Sequence, residues 1–142
     1  MKKDEYLKCK LWGGFVNIEI DYGCYLEEHI QPSQKNTYKD FIEKNSYYDS
    51  KDDIIVLDSI ELEKAKQETL EYLKNEYGLN LEIIEKDILK HVSPFRLTVP
   101  ENNKEKQVFI KFENVYDDEH GLAIEFIDNK FVRVGDLDIS LV

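Results

Sequence analysis

Residues 58–78, D-S-I-E-L-E-K-A-K-Q-E-T-L-E-Y-L-K-N-E-Y-G, carry the longest helical period in the chain. Leu62, Ala65, Thr69, Leu73 and Tyr77 recur every three or four residues, with Leu70 and Tyr72 at the edges of the stripe. Asp58 is placed to cap the first turn, Glu61 three residues later completes a capping box, and Gly78 supplies the left-handed residue that ends the helix. One apolar stripe of this kind has to be covered, and the segments on either side offer strands to cover it.

On the N-terminal side, Leu7, Cys9 and Leu11 alternate with Lys8 and Lys10. Val16, Ile18, Ile20 and Tyr22 alternate with Asn17, Glu19 and Asp21. Gly13-Gly14 between them suits a tight turn, so the pair is expected to form a hairpin. Pro32-Ser33 opens a short helix to about Asn45, with Tyr38, Phe41 and Ile42 at helical spacing. Tyr47 to Asp53 is polar and turn-like, and Ile54-Ile55-Val56-Leu57 is too short for its period to choose between strand and helix. A second short helix is expected over roughly 86–92, stopped by Pro94.

The last third reads as strands. Phe95, Leu97 and Val99 alternate and Pro100 to Asn103 turns the chain. Val108, Ile110 and Phe112 line one strand, Leu122, Ile124 and Phe126 the next. Asp128-Asn129-Lys130 turns into Phe131-Val132-Arg133-Val134. The expected fold class is α+β: an N-terminal β-hairpin, a helical middle and a C-terminal antiparallel meander, forming one sheet packed by helix. With 42% apolar residues in 142 and no repeat or linker, residues 1–142 are read as a single domain.

No apolar run approaches a membrane span, and the first residues lack the apolar segment of a secretion signal, so a cytoplasmic location is expected. Cys9 and Cys24 are then thiols, and Cys9 falls on the apolar side of its strand. The 30 acids against 19 bases leave a net charge of −11, which repels phosphate backbones and anionic lipid and attracts a basic protein. A surface of that sign also keeps a small domain soluble without naming a partner.

Two acidic, aromatic clusters are the candidate partner-binding residues. Tyr47, Tyr48, Asp49, Asp52 and Asp53 form one; Tyr116, Asp117, Asp118 and Glu119 form the other. Tyrosine contributes buried area at an interface and carboxylates steer a basic partner toward it, although such runs are also common in plain solvated loops. In the second cluster the acids precede His120-Gly121 in a connection of about five residues, where successive side chains fan apart. The glycine falls fifth rather than sixth for a calcium loop, and zinc prefers further His or Cys ligands, so no metal and no cofactor are expected. No nucleophile elbow, phosphate loop or zinc-protease motif accompanies His120, which is read as shaping the turn by bonding a backbone group while Gly121 takes positive φ.

The stretch F-E-N-V-Y-D-D-E-H-G-L-A-I, followed by an apolar strand and V-G-D-L-D-I-S, resembles the C-terminal signature of a family of bacterial domains that end in an aromatic, two or three acids, H-G-L-G and a glycine-aspartate turn. W-G-G-F-V at 12–16, Y-K-D-F-I-E at 38–43 and the helices at 59–77 and 86–92 follow in that family's order. Ala123 is a departure, where members carry glycine. Similar small acidic domains stand beside polymorphic and contact-dependent toxins as their immunity proteins. The resemblance therefore implies a binding protein without enzymatic activity that occludes a cognate toxin, for example a basic nuclease; a monomer is expected, and its charge is expected to keep it from nucleic acid and membrane. The alternative is a protein-interaction or regulatory module unconnected with toxins.

Overall fold

A computed structural model of the chain describes residues 5–24, 26–101 and 105–140. The N-terminal strands β1 (Glu5–Leu11) and β2 (Gly14–Asp21) form the expected hairpin. Its two turn residues are Trp12 and Gly13 rather than Gly13 and Gly14, with φ of 50° and 85°. Trp12 tolerates the left-handed backbone because its ring is anchored: it stacks on Phe112 at 5.5 Å and 9°, and Nε1 donates to the Leu62 carbonyl at 3.3 Å. Gly14 instead gives room, since a Cβ there would lie 2.3 Å from Leu89 Cδ1.

Helix α1 (Pro32–Asn45) leads directly into strand β3 (Ser46–Asp49), a tight turn, and strand β4 (Ile54–Leu57). Tyr47, Tyr48 and Asp49 are thus strand residues, not loop residues, and the ambiguous run at 54–57 is a strand. Helix α2 (Ile60–Tyr77) ends at Gly78 with φ of 65°, as its sequence requires. Its cap is Ser59, one residue after Asp58, and the Ser59 hydroxyl accepts from Leu62 N–H at 3.1 Å. Glu61 therefore does not close a capping box. Its carboxylate accepts the Phe131 N–H at 2.9 Å. The second short helix comes earlier than expected: α3 (Leu81–Lys86) is capped by Asn80, whose side chain accepts from Glu82 N–H at 2.9 Å, and a single 3-10 turn follows at Ile88–Lys90.

Strands β5 (Val92–Thr98), β6 (Gln107–Asn114), β7 (Leu122–Ile127) and β8 (Lys130–Gly135) make the antiparallel meander. Pro94 lies inside β5 rather than stopping a helix. It is tolerated because β2 reaches β5 only from Arg96 to Thr98, so no partner on that side needs the missing N–H. The register slips between Pro94 and Arg96, which takes Phe95 out of the expected alternation and leaves Leu97 and Val99 buried. Of the expected turn at 100–103, residues 102 and 103 lie outside the described residues. Asp128 and Asn129 form the β7–β8 turn with φ of 50° and 68°.

All eight strands join one sheet in the order β3-β4-β1-β2-β5-β6-β7-β8. The N-terminal hairpin is its centre, bonded in parallel to β4 on one side and to β5 on the other. One face carries Leu7, Cys9, Leu11, Ile18, Leu97, Ile110, Ile124 and Phe126, which share a core with Phe41 of α1 and Leu62, Ala65 and Leu73 of α2. Phe41 meets Phe126 edge-on at 4.9 Å. On the other face the C-terminal turn Leu137–Ser140 packs on β7 and β8, with Ile139 against Gly135. Beside it Glu125 is buried and held by Arg133 at 2.7 Å and Gln107 at 2.9 Å. The chain is α+β, with helices on one face of a mixed sheet. No helix among the described residues is long and apolar enough to cross a membrane.

Candidate partner-binding site

The two acidic clusters do not meet. β4 runs parallel to β1, so the β3–β4 turn that precedes it lies at the end of the sheet opposite the Trp12 turn. The tip after β6 lies at the Trp12 end, as the Trp12–Phe112 stack shows. β3 and β7 are also six strand spacings apart, roughly 29 Å along the sheet at about 4.8 Å each.

Their chemistry differs as well. At the β3–β4 turn, Asp52 pairs with Lys10 Nζ at 2.6 Å. The Tyr48 hydroxyl donates to Asp53, which raises the phenol's pKa. Asp49 Oδ1 accepts the Lys51 N–H at 3.0 Å and shapes the turn. These carboxylates are largely engaged within the molecule, leaving Tyr47 and Tyr48 as exposed rings.

At the tip, the turn is built around Asp117. Its carbonyl accepts the Gly121 N–H at 2.9 Å and its carboxylate the His120 N–H at 3.1 Å. His120 Nδ1 lies 3.0 Å from the same carboxylate, so the ring bonds a side chain rather than the backbone group expected from sequence. The backbone N–H of His120 is the first cause of a lowered Asp117 pKa, and the Asp117 hydrogen bond raises that of His120. Gly121 takes φ of 59°; a Cβ there would sit 2.8 Å from Leu137 and 3.1 Å from the Phe112 carbonyl. The Leu137 N–H closes the arrangement by donating to the His120 carbonyl at 2.8 Å. Asp118 and Glu119 point outward, exposed. Among the described residues, no lysine or arginine pairs with Asp117, Asp118, Glu119 or Asp136.

Tyr116 stands beside these acids and is fixed in place. Its ring stacks on Tyr77 at 5.5 Å and on His91 at 5.8 Å, and its hydroxyl lies 2.6 Å from His91 Nδ1. Buried Asn114 holds both tyrosines, accepting from Tyr116 N–H at 3.0 Å and donating to the Tyr77 hydroxyl at 3.1 Å. Burial raises the Tyr77 pKa and pushes that of Tyr72 to about 12, and the charges of Asp117 and Asp136 act on both in the same direction. The tip thus sets an anionic turn beside a fixed aromatic platform, groups of the kind that can meet lysine or arginine side chains. Tyr77, His91, Asn114 and Asp136 are members that the sequence did not single out. Tyr77 reads as part of the helix stripe, and only the pairing of Val92 with Asn114 brings His91 to Tyr116 across 25 residues.

Residues 2–141 match the domain of unknown function DUF6985. The chain belongs to that family. No curated protein and no solved structure matches it. The family description carries no activity, so what the DUF6985 tip does has to be argued from its groups. Among the described residues, no set of three or more His, Cys, Asp or Glu side chains stands close enough to share a metal ion. Within this DUF6985 chain the H-G-L segment has a defined structural role, because His120 and Gly121 are the points at which the β6–β7 turn accepts the C-terminal turn.

Proposed function

We propose that this chain is an immunity protein, which binds a basic bacterial toxin such as a nuclease one to one in the cytoplasm and neutralises it by occlusion, with no reaction of its own. The observation that carries this reading is the tip: Asp117, Asp118, Glu119 and Asp136 have no lysine or arginine partner among the described residues, and the turn follows a tyrosine held by Tyr77, His91 and Asn114. Carboxylates that no lysine or arginine neutralises accelerate encounter with a positive surface. A ring already fixed in place loses little side-chain freedom on contact, which favours Tyr116 as an anchor. The resemblance to immunity domains supports the same partner class. An interface of ordinary size, about 1,200–2,000 Å² in total, would spread from the tip onto neighbouring elements.

Co-expression with a toxin domain encoded beside this chain's gene tests it. Rescue of growth and a co-purified 1:1 complex are expected; the absence of both would refute the function. The contact surface has its own test, in Asp118→Lys combined with Glu119→Lys. Neither side chain supports the turn, unlike Asp117, so the fold is retained. Association at low salt should slow by roughly tenfold, with the difference closing as salt rises. An unchanged rate would move the contact away from the tip.

A further inference from the structure

On the helix-free face of the sheet the C-terminal turn lies over β7 and β8, with Ile139 on Gly135, and Phe109 of β6 is buried as well. Over β3, β4, β1 and β2 the described residues leave it open. The register places Tyr47, Val56, Lys10 and Phe15 in one row across these four strands. Tyr47 is 54% exposed and Phe15 70% exposed, and Lys10 Nζ lies 4.8 Å over the Phe15 ring. Further along β1 on the same face are Lys8 and Tyr6, the latter 51% exposed. Four of the six residues named are thus apolar or aromatic, on a molecule whose net charge is −11.

Charge on this face is balanced. Lys8, Lys10, Arg96 and Lys111 stand against Glu19, Asp21, Asp49 and Asp52; Lys10 Nζ is 2.6 Å from Asp52 and Arg96 Nε is 3.2 Å from Glu19. The excess of negative charge therefore sits on the helices, turns and ends. Two copies of the chain repel through those regions, and this neutral, aromatic face is where they can approach without direct opposition of like charges. A basic partner is drawn by the same field to the acidic ends instead.

We propose that the open face of β3, β4, β1 and β2 is a self-association surface, through which two copies form a reversible dimer. Four strands at about 4.8 Å and some 20 Å of strand length give about 400 Å² a side, roughly half of what a standard interface takes, so the dimer is weak and dilute protein is monomeric. Its salt dependence has a signature: screening removes the mutual repulsion of the two acidic bodies, so dimerisation strengthens with salt, the reverse of toxin capture at the tip.

Sedimentation velocity of the full chain from about 10 to about 500 µM, at about 0.05 and 0.5 M salt, tests this. A monomer–dimer equilibrium is expected that tightens several-fold in high salt. Phe15→Lys should weaken it by at least about tenfold, because a twofold interface meets the substitution twice. Ile60→Lys, on an equally exposed apolar residue of α2, should leave it unchanged. A chain that stays monomeric at about 500 µM in high salt would overturn the proposal and leave the face to a different partner or to none. A dimer that loosens with salt, or that ignores Phe15→Lys, would overturn it equally. None of these outcomes bears on toxin binding, which is read from a separate surface.

Discussion

Replacing Gly121 by alanine should uncouple the acidic tip from the C-terminal turn. The residue has φ of 59°, and a left-handed backbone costs an L side chain about 1–2 kcal/mol. The new Cβ also arrives 2.8 Å from Leu137 Cδ1 and Cγ and 3.1 Å from the Phe112 carbonyl. Leu137 can yield only by lifting the segment whose N–H bonds the His120 carbonyl, and the Phe112 carbonyl belongs to a central strand. Overpacking of this kind costs about 1–3 kcal/mol, so the total is about 2–5 kcal/mol out of the roughly 5–15 kcal/mol of a typical domain. Urea unfolding followed by Trp12 fluorescence reports it well, since Trp12 is the single tryptophan and lies on Phe112. With a slope of about 2 kcal/mol per molar urea, the midpoint should fall by about 1–2.5 M. Leu137→Ala supplies the control. In that background the clash with Leu137 is gone and Gly121→Ala should cost about 1–2 kcal/mol less than in the wild type. A cost below about 0.5 kcal/mol, or the same cost in both backgrounds, would refute the reasoning, since backbone strain alone accounts for about 1 kcal/mol or more.

The His120–Asp117 pair sets a pH window. The His120 pKa is raised from its ordinary 6.5, so its contribution is fully present below that value and is lost as pH rises through the folded midpoint; that of Asp117 is lowered from 3.8, so its contribution is present above 3.8 and lost as pH falls through the folded midpoint. The His120 imidazole resonances should therefore titrate above 6.5 in the wild type and move back toward it in Asp117→Asn; a His120 midpoint at or below 6.5 in the wild type would remove the pair from the turn. Tyr77→Phe takes away the acceptor of the buried Asn114 amide while keeping the ring on Tyr116, and should cost about 1–2 kcal/mol in the same urea assay. No loss would mean that the hydroxyl does not hold Asn114.

Where side chains alternate or recur over six or more residues, the sequence is legible. The β1–β2 hairpin, α2 with Gly78, and the meander from β5 to β8 are all readable that way. Ile54–Leu57 is not, because four apolar residues satisfy either period, and what makes them a strand is the ladder with Leu11 and Cys9 some 46 residues earlier. The same non-local pairing turns Tyr47 and Tyr48 from loop into edge strand. Small local rivalries explain the other displacements. Ser59 outcompetes Asp58 for the cap, and Asn80 starts a helix five residues ahead of the expected one. At the tip, the acids and the left-handed glycine are visible in the sequence, whereas Tyr77, His91 and Asn114 become its support only once β5 and β6 are aligned.

The placement of the hairpin in the middle of the sheet also governs how the chain emerges during synthesis. β1 and β2 are made first, yet Glu19 waits 77 residues for Arg96. At about 5–20 residues per second this is roughly 4–15 s with the β2 flank bare, whereas the β1 flank waits only the 46 residues from Cys9 to Ile55 of β4. Over that interval the nascent hairpin is the part of the molecule most open to pairing with a neighbour's copy, and a ribosome-bound chaperone has its clearest reason to hold on there.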